Sequence, residues 1–240
     1  MQLALFGGRS VRWDPAFTRL RRRDLDQGAW IDHAPGWLGG HERLFEELSA
    51  RLPWRRTTQI LFDREVENPR RLVSFPEDGP PPPVLLELAE ALSARYRVHL
   101  DQISAALYRG GDDSVAWHRD REHRERARAV VAIVSLGNPR RFLLRPYRPA
   151  SPRAAPPDEG EGTRPRRSIA YSVGWGDLLV MGGTCQRTWE HAVPKTRRAD
   201  PRIALMFRHH PDALRPSRPG APSEAGEPVS AEQLRARAAR

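Results

Sequence analysis

From Gln102 onward the chain falls into eight strand-length runs, at 102–109, 114–119, 129–136, 140–145, 168–173, 177–182, 187–192 and 202–208. The third holds Val130-Val131-Ala132-Ile133-Val134, a continuous β-branched run of the kind found in buried strands. The last, Arg202-Ile203-Ala204-Leu205-Met206-Phe207-Arg208, alternates. Ile203, Leu205 and Phe207 share one face, and Arg202, Ala204, Met206 and Arg208 the other. Two amphipathic helices precede these runs. His41 to Leu52 sets Leu44, Phe45, Leu48 and Leu52 on one face. Val84 to Tyr96, after the proline break at 79–83, carries Leu85, Leu88, Ala89 and Leu92. Eight strands after two helices predict an α+β chain: a double-stranded β-helix (jelly roll) core with N-terminal helices packed on one sheet.

A length of 240 residues is ample for one core. Residues 1–54 read as an N-terminal cover and helix of the same domain, with Trp13, Trp30 and Trp37 among short irregular elements. Residues 55–210 read as the jelly-roll domain, with a strand at 57–62 and a loop and short strand at 63–75. Residues 146–167, rich in Pro, Arg, Gly and acids, are expected to be a flexible insertion, and 211–240 a disordered tail. No run of about 18 apolar residues occurs, so no membrane-spanning helix is expected. The apolar part of Met1 to Gly8 is too short for a secretory signal. Cys185 is the sole cysteine, which excludes an internal disulfide and fits a cytoplasmic location.

Lys plus Arg exceed Asp plus Glu by ten, and every basic residue but Lys195 is Arg. A surplus of this size favours a polyanionic partner. About four of the ten charges fall within 145–168 and 211–240, however. An Arg bias beside 23 Pro and abundant Ala also fits coding bias, so a merely solvated basic surface stands as the alternative. No obligate protein partner is evident.

The chemistry concentrates at His118-Arg119-Asp120. In an extended strand His118 and Asp120 project from one face and offer an imidazole and a carboxylate to a common metal. Eight His and fourteen Asp in 240 residues make about half a His-x-Asp expected by chance, so the pattern alone is weak. A second copy, His210-Pro211-Asp212, has no later His to complete it. The first is followed by buried strands and then by His191, whereas His99, His123, His209 and His210 lack that spacing, and His33 and His41 read as surface or core. Two His and one carboxylate on one side of an ion form the ligand set of non-haem Fe(II) oxygenases, with positions left open. His118, Asp120 and His191 are thus the candidate catalytic metal ligands. Arg202 and Arg208 begin and end one face of an otherwise apolar strand. Their planar forks suit a dicarboxylate, and Fe(II) with a dicarboxylate points to 2-oxoglutarate. Salt bridging at a sheet edge is the plainer alternative.

These residues resemble the AlkB-like family of Fe(II)/2-oxoglutarate-dependent dioxygenases, the type that repairs alkylated nucleic acid. The family pattern is His-x-Asp-x-Glu, a distal His, then Arg-x-Asn-x-Thr-x-Arg. Here it reads His118-Arg119-Asp120-Arg121-Glu122, His191 in Thr188-Trp189-Glu190-His191, and Arg202 to Arg208. The likeness extends to Ser135-Leu136-Gly137, Arg141-Phe142, Gly176 to Gly183, Asp63-Arg64 and Pro69-Arg70, and covers roughly residues 55 to 209. Three positions depart from it: the Asn and Thr between the arginines are Ala204 and Met206, and the Asn two before Tyr108 is Ala106. Each missing Asn removes one hydrogen bond to the co-substrate, about 0.5–1.5 kcal/mol net.

The resemblance implies the same fold, with Fe(II), 2-oxoglutarate and O2 required. It implies oxidative dealkylation of N-alkylated nucleobases in DNA or RNA, single-stranded by expectation, releasing succinate, CO2 and an aldehyde. Arg202, helped by Tyr108, would clamp the distal carboxylate of 2-oxoglutarate and Arg208 the end nearer the iron, although the residues themselves do not say which arginine takes which end. Such an enzyme takes the base out of its stack. Glu122 is placed to accept a hydrogen bond from an exocyclic amine, or is a surface acid beside Arg121 and Arg124. Phe75 is the expected stacking or lid aromatic, and Arg70, Arg71, Arg141 and Arg145 are candidate phosphate contacts. Trp117 and Trp189 flank the ligands as core or contact. Two other classes stay open: a dioxygenase of the same chemistry acting on a non-nucleic-acid substrate, and a catalytically weakened nucleic-acid-binding jelly roll.

Overall fold

A computed structural model describes residues 11–61, 64–120, 122–148 and 168–210. The tail expected at 211–240, and the insertion expected at 146–167 from residue 149 on, lie outside the described residues. In chain order the elements begin with β1 (Arg12–Trp13), β2 (Arg21–Asp24), β3 (Ala29–Ala34), β4 (Leu38–Gly39) and α1 (His41–Arg51). β5 (Thr58–Leu61), β6 (Arg64–Glu67) and β7 (Arg71–Ser74) lead to α2 (Pro83–Tyr96). Then come β8 (Gln102–Tyr108), β9 (Val115–His118), β10 (Ala129–Gly137), β11 (Arg140–Pro146), β12 (Ile169–Val173) and β13 (Asp177–Gly183). The one-turn helix α3 (Cys185–Thr188), β14 (Trp189–Val193) and β15 (Arg202–Arg208) close the series.

Seven strands form one sheet in the order β2-β3-β13-β10-β15-β8-β7, and four form another in the order β12-β11-β14-β9. Neighbouring strands in both run antiparallel. The two faces of the larger sheet carry separate apolar clusters. On one, Val130, Ala132, Val134, Ile203, Leu205 and Phe207 cluster with Leu44 and Leu48 of α1 and Leu85, Leu88 and Leu92 of α2. On the other, Val131, Ile133, Leu179 and Met181 meet Phe142, Leu144, Trp189 and Val193 of the smaller sheet. β10 is therefore covered on both sides, which is why its sequence is continuously apolar rather than alternating. Burying each such side chain stabilises the fold by about 1.5–3 kcal/mol.

Residues 11–40 do more than cover this core. β3 pairs with β13 from Ala34 opposite Leu178 to Ala29 opposite Gly183, and β2 pairs with β3, so both extend the main sheet. Their charged sequence hid this. Asp32 on β3 is fully buried, and it is matched there by both forks of Arg22 at 2.7 and 2.8 Å and by the Tyr96 hydroxyl at 3.1 Å. Trp30 lies flat over Gly182, where an added Cβ would come within 1.9 Å of the ring, and it stacks on Tyr96. The run expected as a strand from 187 instead opens with the last two residues of α3. No helix among the described residues is long and apolar enough to cross a membrane.

Candidate metal centre

β9 and β14 pair with His118 directly opposite His191, which brings the ring centroids to 4.2 Å. The strand ends at His118. Asp120 lies just beyond it, where its carbonyl accepts the N–H groups of His123 and Arg124 and so starts a turn. Its own N–H donates to Gln186 Oε1 at 2.9 Å. The carboxylate still faces the rings, with Oδ1 3.7 Å from His118 Nε2 and 3.6 Å from His191 Nε2. Two bonds of about 2.1 Å reach across about 4.2 Å, so one ion can bridge each pair. Together the three residues place their donor atoms within 4.8 Å of one another. His118 Nδ1–H donates to the Ala116 carbonyl at 2.9 Å, which leaves Nε2 as the lone-pair atom.

The protonation states suit a cation. Burial by itself would raise the Asp120 carboxyl, but Arg208, His191 and His118 outweigh it and hold the group well below the usual carboxylate range. Burial, reinforced by His118, pushes His191 down to about 3, and burial also lowers His118. At neutral pH the site thus presents one anion and two neutral imidazoles, the forms a divalent ion binds without displacing protons.

One cavity joins these ligands to Tyr108, Arg202 and Arg208. The two arginines differ. Arg208 is committed: Nε donates to Asp120 Oδ2 at 2.8 Å, Nη1 to Ser104 Oγ at 3.0 Å, and Nη2 meets Met206 Sδ at 3.4 Å. Arg202 is 1% exposed; its Nη2 donates to Ser135 Oγ at 2.7 Å and the Tyr108 hydroxyl favours its charged form, while Nε and Nη1 are buried with no acceptor in hydrogen-bond geometry. Its guanidinium lies 5.3 Å from the Tyr108 ring centroid, and burial pushes its pKa down. A buried cation with two open N–H groups is costly unless an acceptor arrives. A carboxylate supplies that acceptor bidentately. Ala106 and Ala204 are direct cross-strand partners, both buried.

The substrate candidates fare differently. Phe75, expected as a stacking or lid aromatic, is 8% exposed, packs in the helix-side core and lies outside the cavity lining. Arg70 lines the cavity with a buried, unpartnered Nε. Arg71 donates to Glu67 at 3.3 Å and does not line it. Exposed Glu122 lies outside the cavity lining, 3.2 Å from the side-chain amide group of Gln102. Arg145 is paired with Glu190 and covers the Trp117 ring at 4.1 Å, while Trp189 is core. His123 and His209 form a buried structural pair in which His123 Nε2–H donates to the His209 carbonyl at 3.0 Å. The sequence reading missed Ser104, Ser135 and Gln186. Ser104 was within reach, because it shares a β8 face with Ala106 and Tyr108; Gln186, on the one-turn α3, had no periodic signal.

A family model described as the 2OG-Fe(II) oxygenase superfamily matches residues 42–218. The alpha-ketoglutarate-dependent dioxygenase alkB homolog 3 of Bos taurus is 32% identical over 189 residues, covering 72% of this chain and 64% of that protein. Its Homo sapiens counterpart is 30% identical with the same coverage. The DNA oxidative demethylase ALKBH2 of Arabidopsis thaliana is 32% identical over 194 residues, covering 68% and 60%. The chain thus spans less than two thirds of the length of these relatives. The matched span runs from α1 through β15 and contains all three metal-donor residues, and the chain belongs to the 2OG-Fe(II) oxygenase superfamily.

Proposed function

We propose that this protein is an Fe(II)/2-oxoglutarate-dependent dioxygenase that oxidatively dealkylates N-alkylated nucleobases in single-stranded nucleic acid. The observation that carries this reading is one cavity holding both a two-His, one-carboxylate donor set and a buried guanidinium with two open N–H groups. His118, Asp120 and His191 would hold the iron, and Arg202 with Tyr108 a carboxylate of 2-oxoglutarate. When bound, Fe(II) with 2-oxoglutarate and O2 supplies oxidation of a C–H bond coupled to conversion of the keto acid to succinate and CO2.

The chain's own residues position and shield that chemistry. Arg208 orients Asp120 through its 2.8 Å hydrogen bond, and the Ala116 carbonyl fixes the His118 tautomer. Val131, Ile133, Phe142 and Val193 give the cavity apolar walls that exclude water. Arg70 is assigned to the substrate side, because its buried N–H opens on the same cavity. Glu122 is assigned to the exocyclic amine of a flipped base. The names of the AlkB relatives support a nucleic-acid substrate, and so does the net charge of +10.

The test is succinate release with Fe(II) and O2, with and without a single-stranded oligonucleotide carrying an N-methylated base, combined with mass spectrometry of that strand. The expected result is stimulated succinate and loss of the methyl mass. Succinate with an unchanged strand would redirect the activity to another substrate class. No succinate at all would favour the binding module, with Ala106 and Ala204 as the lost co-substrate contacts.

A further inference from the structure

A second cavity, of about 430 Å³, opens between the β10–β11 turn and the segment that joins β14 to β15. It is separate from the metal donors. Leu144 of β11 pairs with His191, whereas this cleft is lined by Arg140 and Arg141, about 10 Å back along the strand. Three cationic residues line it: Arg141, Lys195 and Arg198. All three are exposed, and none has a hydrogen bond or ion pair among the described residues. Asp200 is the one acid in the lining.

The backbone behind these residues is fixed. Arg140 is 3% exposed, and its guanidinium donates to the carbonyls of Gly110, Asp113 and Pro194 at 2.8–2.9 Å. Thr196 N–H donates to the Gly111 carbonyl, and a Cβ on Gly111 would come within 2.1 Å of the Thr196 carbonyl oxygen, so only glycine permits this approach. Asn138 N–H donates to the Pro201 carbonyl at 3.1 Å. Unpaired cations on a pinned scaffold form a preorganised anion site.

The outer face of the smaller sheet continues from this cleft to the metal end. Arg141, Leu143 and Arg145 alternate outward along β11, and Leu143 is flanked in register by Ala170 and Ala192, which keeps the floor shallow. At the far end Arg145 covers the Trp117 ring, and the Arg119 guanidinium lies 3.6 Å from the Tyr147 ring centroid. Both rings lie at the Arg145 end under arginine side chains, and Arg145 is paired with Glu190. The unpaired cations of the cleft are thus the groups on this face left to meet the phosphates of a single strand. Arg141 and Arg145 are about 13 Å apart along the strand, the length of about four stacked nucleotides.

The geometry points to the cleft of Arg141, Lys195 and Arg198 as a second nucleic-acid contact, which takes backbone phosphates of the substrate strand several nucleotides away from the base presented to the metal. This rests on the nucleic-acid reading of the metal centre. It adds that strand length, not only the modified base, sets affinity.

The test uses the full chain and fluorescein-labelled single strands of four and sixteen nucleotides, with anisotropy read at 50 and 200 mM salt. Wild type is compared with the triple variant Arg141→Ala/Lys195→Ala/Arg198→Ala, whose exposed positions spare the core; circular dichroism checks its fold. The sixteen-mer is expected to bind wild type more tightly than the four-mer, and the variant to lose most of that gain. Its slope of log affinity against log salt should flatten by about 2, three contacts at about 0.7 each. Wild-type affinity and slope in the variant would overturn the proposal. So would an equal loss for both lengths, or displacement of the sixteen-mer by polyglutamate as readily as by unlabelled strand. Succinate release with a methylated four-mer is measured in parallel. Its absence, beside a length gain that the variant abolishes, would remove the dealkylase reading and leave the strand-binding cleft standing.

Discussion

Arg202 and Arg208 lie on one face of β15 and hold opposite positions in the site's chemistry. The alternation of the strand showed that both share one face, and only the three-dimensional partners separate them. Arg208 spends its donors on Asp120, Ser104 and Met206, whereas Arg202 keeps two for a ligand. Arg202→Ala is therefore expected to raise KM for 2-oxoglutarate roughly tenfold to a hundredfold, the loss of one charge-assisted hydrogen bond at about 1.5–3 kcal/mol. Metal binding, followed by isothermal titration, should be unchanged, and an equal loss of metal affinity would count against this division of labour. His191 gives the pH dependence. Its folded value of about 3 lies below the unfolded 6.5, so the fold favours the neutral ring. That contribution is whole above pH 6.5 and disappears as pH falls through about 3. The melting temperature of metal-free protein should fall across this window, and His191→Asn should flatten the fall. The His118, Asp120 and His191 set was legible because two-residue spacing and a later His at the right distance are sequence properties. Gln186 was not, since its hydrogen bond to Asp120 exists only once β14 has paired with β9.

The elements were read best where burial is simplest. β10 and β15 announce themselves, one by an unbroken β-branched run and the other by strict alternation, because one is covered on both faces and the other puts helix-side and cavity-side residues in turn. β2 and β3 gave no such signal. Their place in the sheet depends on a buried Asp32 that only Arg22 and Tyr96 make tolerable, and such compensation is invisible to periodicity. The same region depends on a glycine for close approach rather than for backbone freedom. Gly182→Ala would drive a methyl into the Trp30 ring. The expected cost is about 1–3 kcal/mol, as for other overpacked cores, and urea unfolding measures it directly. A variant as stable as wild type would mean that Trp30 is free to leave its stack on Tyr96.

For the whole molecule, composition suggested a polyanionic partner without locating it. The surplus of ten charges says nothing about where free cations gather, and the cleft of Arg141, Lys195 and Arg198 exists only because Arg140 and Gly111 draw distant segments together. The same feature, strands pairing across long stretches of chain, also decides when the metal site comes into being. Ala34 pairs with Leu178, Tyr108 with Arg202 and His118 with His191. Such topologies fold slowly, in milliseconds to seconds or longer, because loop closure must be completed before any pairing rewards it. Until β14 docks, the chain holds one imidazole and one carboxylate, too few to retain an ion. Refolding from urea should therefore proceed at a rate independent of divalent metal concentration, with metal slowing only the unfolding limb. A refolding rate that climbs with metal would mean the ligands meet early. On the expected outcome iron arrives last, captured by a finished sandwich instead of seeding it.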